Sequence, residues 1–491
     1  MNIEIDSRKV HSGDIFFCFE EDPIKAKKFI QNAIANGASK VFTSQNIQNN
    51  HTIIVKNIWA EFGAKLHAIY NEKPKKILVV TGTNGKTSTA WFVQQIFHKL
   101  EKKCLYIGTI GVSCGDKMLD EKYFSKFNLD ILTTPDIASL HQILYIAKTK
   151  IGCDVAIIEA SSHGILQKRI DFLNITSAGF TNFTQDHLDY HKNMDAYFAA
   201  KLELFTYFVS EDGTAIINSD DKKSIEIIKN IKCKNIITYG KNGNLKLDNI
   251  GLKKDSQVVH LSYNNIKYSF FTEILGEFQI YNILCSIGFA LSCGENLLNI
   301  ISILDKISPP LGRLQGVKFK EKYTNIYIDY AHTPDALENA LLELRKICKG
   351  RLICVFGCGG NRDESKRSIM GKISVSIANF TIVTDDNPRT ENPFNIRKQI
   401  VDGIVQFKTE KMKTLKEFPI KRIMLFALQE ENIIGNFLEI EGRREAIQYA
   451  ISMMSDNDIL LIAGKGHESY QIIGTQKTYF SDEEEVIKCL Q

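Results

Sequence analysis

Thr81-Gly82-Thr83-Asn84-Gly85-Lys86-Thr87 lies between the apolar run Ile77-Leu78-Val79-Val80 and a segment with apolar residues at Val93, Ile96, Phe97 and Leu100. The run has the pattern of a strand buried on both faces, and the later segment has helical spacing. A glycine-rich turn joining such a strand to such a helix aims backbone N–H groups and a helix N-terminus at phosphate oxygens. In that setting the Lys86 ammonium reaches the β- and γ-phosphates of a nucleoside triphosphate, and the Thr87 hydroxyl binds Mg²⁺. Gly82, Thr83, Asn84, Gly85 and Ser88 complete the expected contacts of the loop. The general phosphate-loop pattern has a glycine five residues before Gly85, where this chain has Val80. Without ATP, Lys86 is expected to face solvent.

Outward from the loop, strand-like runs recur at Val155 to Ile158, Ser177 to Phe183 and Ala215 to Asn218, with helical patterns between them. Such alternation predicts a largely parallel sheet. On the N-terminal side, Asn71 to Lys76 is polar and contains Pro74, the composition of a linker. Before it, short apolar runs at Ile15 to Phe19, Val41-Phe42 and Ile53 to Val55, with a helix near Ala26 to Asn36, predict a small α/β module. On the C-terminal side Ser308-Pro309-Pro310-Leu311-Gly312 breaks the pattern, which restarts at Ile326 to Asp329, Leu352 to Phe356, Thr381 to Thr384 and Ile459 to Ile462. Each of these runs ends in a polar or glycine-rich loop, the edge at which open α/β sheets bind ligands. The expected fold is α/β in three domains. They are a small N-terminal module (1–74), a central ATPase domain on a parallel sheet (75–309) and a Rossmann-like C-terminal domain (310–491).

With 491 residues, 44% hydrophobic and 24% charged, the chain can bury several cores, and its net charge of +4 argues against a nucleic-acid-binding surface. Eleven cysteines without metal-ligand spacing argue against a disulfide framework and for a reducing compartment. The amino terminus has no basic-then-apolar leader, and no apolar run approaches the ~20 residues that span a bilayer. The expectation is a soluble cytoplasmic protein acting as a monomer.

Glu159 closes the run Val155 to Ile158 and precedes Ala160-Ser161-Ser162-His163-Gly164; farther on come Asp186-His187-Leu188-Asp189-Tyr190-His191 and Ala199-Ala200-Lys201. Each piece alone has a plain structural reading. Strand-end carboxylates are common, a single histidine is more often a structural hydrogen bonder, and an isolated lysine is usually a solvated helix residue. In combination with the glycine loop, they resemble the Mur ligases, whose own loop has the shorter form seen here. The resemblance implies that Lys86, Glu159, His187 and Lys201 are catalytic. It also implies that Thr87, Glu159, His187 and Lys201 bind Mg²⁺, with Lys201 carboxylated by CO₂. A carbamate supplies the oxygen ligands Mg²⁺ takes, which an ammonium cannot.

The resemblance runs through nearly the whole chain, toward the diaminopimelate-adding branch of the family. Asp6-Ser7-Arg8, with Ile5 and Ser7 as expected contacts, is similar to the UDP-binding start of that branch. Thr133, Thr134, Ser161, Gln167 and Arg169 are similar to its contacts with the muramoyl dipeptide. Asn282, in Leu275 to Asn282, is expected near the adenine, and Arg313 and Asp329 near ATP. Asp386-Asn387-Pro388-Arg389 and Gly464-Lys465-Gly466-His467-Glu468 are similar to the motifs that choose the amino acid. Diaminopimelate ends in a second carboxylate and ammonium. Arg362 and Arg389 suit the carboxylates through two-pronged hydrogen bonds, and Glu468 suits the ammonium; Asp386, Asn387, Pro388 and Gly464 frame the pocket. Outside the family, Asp-Asn-Pro-Arg is a good turn sequence.

The implied reaction is ATP-dependent addition of meso-diaminopimelate to UDP-N-acetylmuramoyl-L-alanyl-D-glutamate through an acyl phosphate, a step of peptidoglycan synthesis. Three rivals stand beside it: a lysine-adding ligase, disfavoured by Arg389; folylpolyglutamate synthase, which would not be expected to carry Asp6-Ser7-Arg8; and a nucleotide-dependent binding protein with no need of a carbamate. Two departures remain. Glu20-Glu21-Asp22-Pro23 replaces the family's His-Gln-Ala-Asp-Gly, and residues 407–436 read as a surface insertion.

Overall fold

Unbroken aliphatic runs form the middle of the largest sheet because strands covered on both faces need apolar residues at every position. The computed structural model describes residues 1–115, 117–119, 132–252, 256–320, 322–416 and 436–491. Lys76–Thr81 lies between Ile175–Phe180 and Val155–Glu159, parallel to both, with Val80 opposite Glu159 and Thr81 opposite Phe180. This register brings the phosphate loop, Glu159 and the chain leaving Phe180 to one edge. Val209–Asn218, Asn235–Gly240 and Leu245–Leu252 extend the parallel array on one side, and Cys104–Gly108 on the other. Antiparallel strands close both ends: Gln257–Tyr263 with Ile266–Thr272, and Gly111–Cys114 with Lys117–Met118. One face packs on the helices Lys86–Lys99 and Glu277–Ser292, through residues such as Phe92, Ile96, Leu284 and Phe289. The other packs on Ile137–Ile146 and on Phe198, Leu204 and Phe205.

Two smaller sheets flank this one. Ile3–Glu4, Ile15–Cys18, Lys40–Thr43 and Thr52–Ile54 are parallel and adjacent in chain order. Phe17, Phe19, Trp59 and Phe62 form an aromatic cluster that reaches Phe172 of the large unit, Trp59 and Phe172 lying 5.4 Å apart. The C-terminal sheet has the order Gln315–Phe319, Lys322–Asp329, Ile459–Ala463, Leu352–Phe356, Phe380–Val383, Asn436–Glu439, with only the first strand antiparallel. Beneath Ala463, fully buried Arg443 and Asp482 form a two-pronged pair at 2.7 Å, and Arg443 also donates to the Ala463 carbonyl.

The strand expected over Ser177 to Phe183 ends at Phe180, which releases Thr181 and Asn182 to turn toward the phosphate loop. The expected linker is shorter by one residue, because Lys76 already pairs in the sheet. The expected insertion begins inside a helix, Pro393–Lys416; its remainder, 417–435, lies outside the described residues. All eleven cysteines are free. Among the described residues no helix is long and apolar enough to cross a membrane.

Candidate active site

Gly82 and Gly85 both take positive φ, 146° and 84°. A Cβ at Gly82 would sit 1.8 Å from Thr181 Oγ1, and one at Gly85 2.3 Å from Asn282 Oδ1, so the loop is glycine where its neighbours touch the backbone. Asn84 N donates to Asn182 Oδ1 at 2.9 Å, while Thr181 Oγ1 donates to the Asn84 carbonyl at 2.6 Å. Lys86, against expectation, does not project into solvent. Its Nζ donates to the Gly82 and Thr83 carbonyls at 2.9 and 2.8 Å, satisfying the ammonium within the loop, and burial holds its pKa below the usual lysine value.

Buried Glu159 accepts from Tyr106 Oη at 2.5 Å, Thr87 Oγ1 at 2.9 Å, Thr109 N at 3.0 Å and Thr109 Oγ1 at 3.1 Å. Among the described residues no cluster of three or more histidine, cysteine, aspartate or glutamate side chains is placed to hold a metal ion. The touching Thr87 hydroxyl and Glu159 carboxylate are nevertheless hard oxygen donors of the kind Mg²⁺ takes. Lys201, expected on a helix, is not solvated: it is 1% exposed, donates from Nζ to the Gly82 carbonyl at 2.7 Å and lies over the Tyr197 ring. Burial, with Lys86 nearby, drives its pKa well below the usual lysine value. His187 sits in the left-handed region (φ 54°) beside Asp186, with Nε2 3.4 Å from Oδ2. Burial pulls its pKa down to about 3, against the pull of Asp186, so the imidazole is neutral near pH 7.

A cavity of about 350 Å³ opens between the middle and C-terminal sheets beside the loop. It is lined by Asn84, Gly85, Thr87, Ser88, Asn282, Arg313 and Asp329 together with Tyr239, Phe278 and Tyr281. Arg313 Nη2 donates to Thr87 Oγ1 at 3.2 Å, its guanidinium lying over the Tyr330 ring. Asp329 accepts from Leu314 N at 2.5 Å, and burial raises its pKa to about 6. Asp335, which the sequence places in the stretch Ile328 to Ala336 at the entry to the third domain but gives no role, takes a 2.8 Å hydrogen bond from Asn84 Nδ2 across the cleft.

A second cavity, of about 370 Å³, has walls from both units: Thr109, Ile110 and Thr133 on one side, Tyr330, Arg362, Arg389, His467, Glu468, Tyr470 and Lys477 on the other. Near its first wall, Thr134 Oγ1 donates to the Glu159 carbonyl at 2.8 Å and contacts Ser161 Oγ; Arg169 donates to the Thr134 carbonyl at 2.7 Å and to Gln167 Oε1 at 2.5 Å. On its second wall, Glu468 does not stand free for an ammonium. Its Oε2 accepts from Asn387 Nδ2 at 2.8 Å and from buried Lys465 Nζ at 3.2 Å. A Cβ at Gly464 would come within 2.6 Å of Asp386 Oδ2. Arg389, at φ 53°, follows Pro388 and sends Nη1 to the Gly360 carbonyl at 2.8 Å. Lys465 stands in the Gly464 to Glu468 motif, but the sequence alone gives it no role, because its flanking glycines read as loop. Ile5 and Ser7 line a third, more open cavity of about 1080 Å³ with Arg8, Phe16, Glu20 and Glu21.

Comparisons with known proteins agree with this geometry. The family described as the Mur ligase middle domain matches residues 80–290, and the Mur ligase glutamate ligase domain matches residues 312–466. A protein of Rickettsia bellii named UDP-N-acetylmuramoyl-L-alanyl-D-glutamate--2,6-diaminopimelate ligase is 40% identical over 487 residues, covering 98% of this chain and 93% of its own. One of the same name from Rickettsia montanensis is 38% identical, covering 100% and 95%. A solved structure with that name superposes with a TM-score of 0.66 at 29% identity, covering 100% of this chain and 94% of the other.

Proposed function

We propose, from the premise that the chain belongs to the Mur ligase family, that it is an ATP-dependent ligase adding meso-2,6-diaminopimelate to UDP-N-acetylmuramoyl-L-alanyl-D-glutamate in peptidoglycan synthesis. The observation that carries the reading is Thr109. Its hydroxyl lies 3.1 Å from Glu159 Oε2, beside the phosphate loop, and 3.2 Å from Thr133 Oγ1, and it lines the cavity shared with Arg362, Arg389 and Glu468. A carboxylate held at Thr133 can therefore meet a γ-phosphate on one side and an amine on the other.

In the first step an oxygen of the D-glutamyl γ-carboxylate attacks the γ-phosphorus and ADP leaves. In the second an amine of diaminopimelate attacks the acyl carbon, its C–O bond to phosphate breaks, and phosphate and a proton depart. Positioning and charge neutralisation do most of the work. Lys86 exchanges the Gly82 and Thr83 carbonyls for phosphate oxygens, and Arg313 adds a second cation beside Thr87. Mg²⁺, held by Thr87 and Glu159, would neutralise charge on the transferring group. Lys201 is read as the carbamate. The neutral amine is the form that reacts with CO₂, and burial favours it. Neutral His187 is read as the metal-side partner of that carbamate. Asn282 is read as an adenine contact, Ile5 and Ser7 as UDP contacts, and Arg389 with Arg362 as the carboxylate anchors. Closure of the units over the substrates would keep water from the acyl phosphate. The reading also carries a cytoplasmic monomer with domain breaks near residues 74 and 309.

The test is phosphate release with the UDP-muramoyl dipeptide and ATP while only the amino acid is varied. Release with diaminopimelate and little with lysine is expected. Equal release with lysine would assign the lysine-adding branch, and none with either would overturn the reading.

A further inference from the structure

We propose that Lys477 is a second anchor for the far carboxylate of the incoming amino acid and helps set specificity beside Arg389. The inference rests on the reading above that the 370 Å³ cavity receives that amino acid. Lys477 belongs to the hairpin Tyr470–Ile473 and Gln476–Tyr479, in which Ile472 faces Lys477 and Tyr470 faces Tyr479. Alternation along the strands puts Tyr470 and Lys477 on one face. Lys477 Nζ lies 3.9 Å from the centre of the Tyr470 ring, and Tyr470 Oη lies 3.4 Å from Glu468 Oε1. The ring thus holds the ammonium at the cavity wall, where an exposed lysine would otherwise sweep through solvent.

The charge around the cavity is one-sided. Glu468 is already countered by Lys465 at 3.2 Å, which leaves Arg362, Arg389 and Lys477 as cations without an equal number of anions on the same wall. A side chain ending only in an ammonium is a poor complement to that wall, whereas one ending in a carboxylate beside an ammonium matches it. The hairpin is also fastened to the arginine. Arg389 N donates to the Ile472 carbonyl at 3.0 Å, and Gly474 N donates to the Arg389 carbonyl at 2.7 Å. The backbones that carry the two cations are therefore tied together, which keeps both on one wall of the cavity.

Steady-state kinetics on the full chain tests this. Lys477→Met keeps the stem and removes the charge; it should raise the KM for diaminopimelate about fivefold, the scale of one partly exposed charge pair. The KM for ATP, the KM for the UDP-dipeptide and the melting temperature should stay unchanged, and Lys477→Arg should retain the wild-type KM. Lys477→Glu should lower the ratio of diaminopimelate to lysine use below that of Lys477→Met. If Lys477→Met leaves the diaminopimelate KM unchanged, or raises the KM for ATP or the UDP-dipeptide equally, the inference is overturned while the proposed function stands. If the wild type releases no phosphate with diaminopimelate, both fall together.

Discussion

The Gly82 carbonyl accepts from two lysines, Lys86 at 2.9 Å and Lys201 at 2.7 Å. Two ammonium groups at one oxygen repel, and burial adds to the cost of charging the deeper one. Lys201→Ala should nearly abolish ligation, and a short carboxylic acid should restore part of it by standing in for the carbamate. Full activity in the unsupplemented variant would remove Lys201 from the mechanism. Lys86→Ala should lose turnover at saturating ATP while circular dichroism stays native, since the hydrogen bonds of the ammonium go to carbonyls of its own loop; unchanged turnover would make the loop structural. A third residue contributes to acid behaviour, alongside the buried His187, His332 and His467, whose pKa values burial also lowers. His141 is 1% exposed with Nε2 on the Asp171 carbonyl, and burial holds its pKa at about 4 against 6.5 for an ordinary histidine. Below pH 6.5 the unfolded chain takes a proton that the folded chain refuses until about pH 4, so stability is lost as pH falls through that window. The loss is on the order of 2 kcal/mol by pH 5. Melting temperatures at pH 7 and 5 should differ less in His141→Gln than in the wild type, and an equal difference would exclude this source.

At the scale of single elements, the helix Lys86–Lys99 starts at Gly85, whose φ of 84° and contact with Asn282 leave no room for a side chain. Gly85→Ala should weaken ATP binding at least tenfold, because backbone strain and the displaced asparagine both act on the nucleotide side; calorimetric titration with ATP would show it. The turn ending in Arg389 makes the complementary case. Arg389→Ala should depress kcat/KM for diaminopimelate about 10- to 150-fold more than for lysine, the scale of a lost charged hydrogen bond. Competition assays with both amino acids would reveal an unchanged ratio if the arginine does not read the far carboxylate.

These elements also separate what could be read in the sequence from what could not. Ile77 to Val80 and Leu352 to Phe356 were legible because doubly covered strands are continuous apolar runs. The strands Gln257–Tyr263 and Ile266–Thr272 have one face toward solvent and mix polar with apolar residues, so a search for apolar runs passes over them. Glu159 and Arg389 stood out through motifs. Lys465 stands inside a motif too, but its role as a buried partner does not show there, because it depends on Asn387, 78 residues away, a contact no local pattern displays. Asp335 was equally silent, since an acid in a first helical turn is ordinary.

Across the whole molecule, the phosphate loop and the C-terminal unit meet through Asn84 with Asp335 and Thr87 with Arg313. Breaking the first contact with Asp335→Ala should increase the radius of gyration of the nucleotide-free protein in solution scattering, and ATP should restore much of the difference. An identical scattering profile would show that other contacts hold the units together. On the proposed reading, phosphate handling rests on the middle sheet and amino-acid binding on the third, where main-chain hydrogen bonds clasp Arg389 to the hairpin. Main-chain bonds are indifferent to which side chains the hairpin carries. If Lys477 reads the far carboxylate as proposed, exchanges at position 477 should therefore change the appetite of the cleft without disturbing how the chain folds or how it spends a nucleotide.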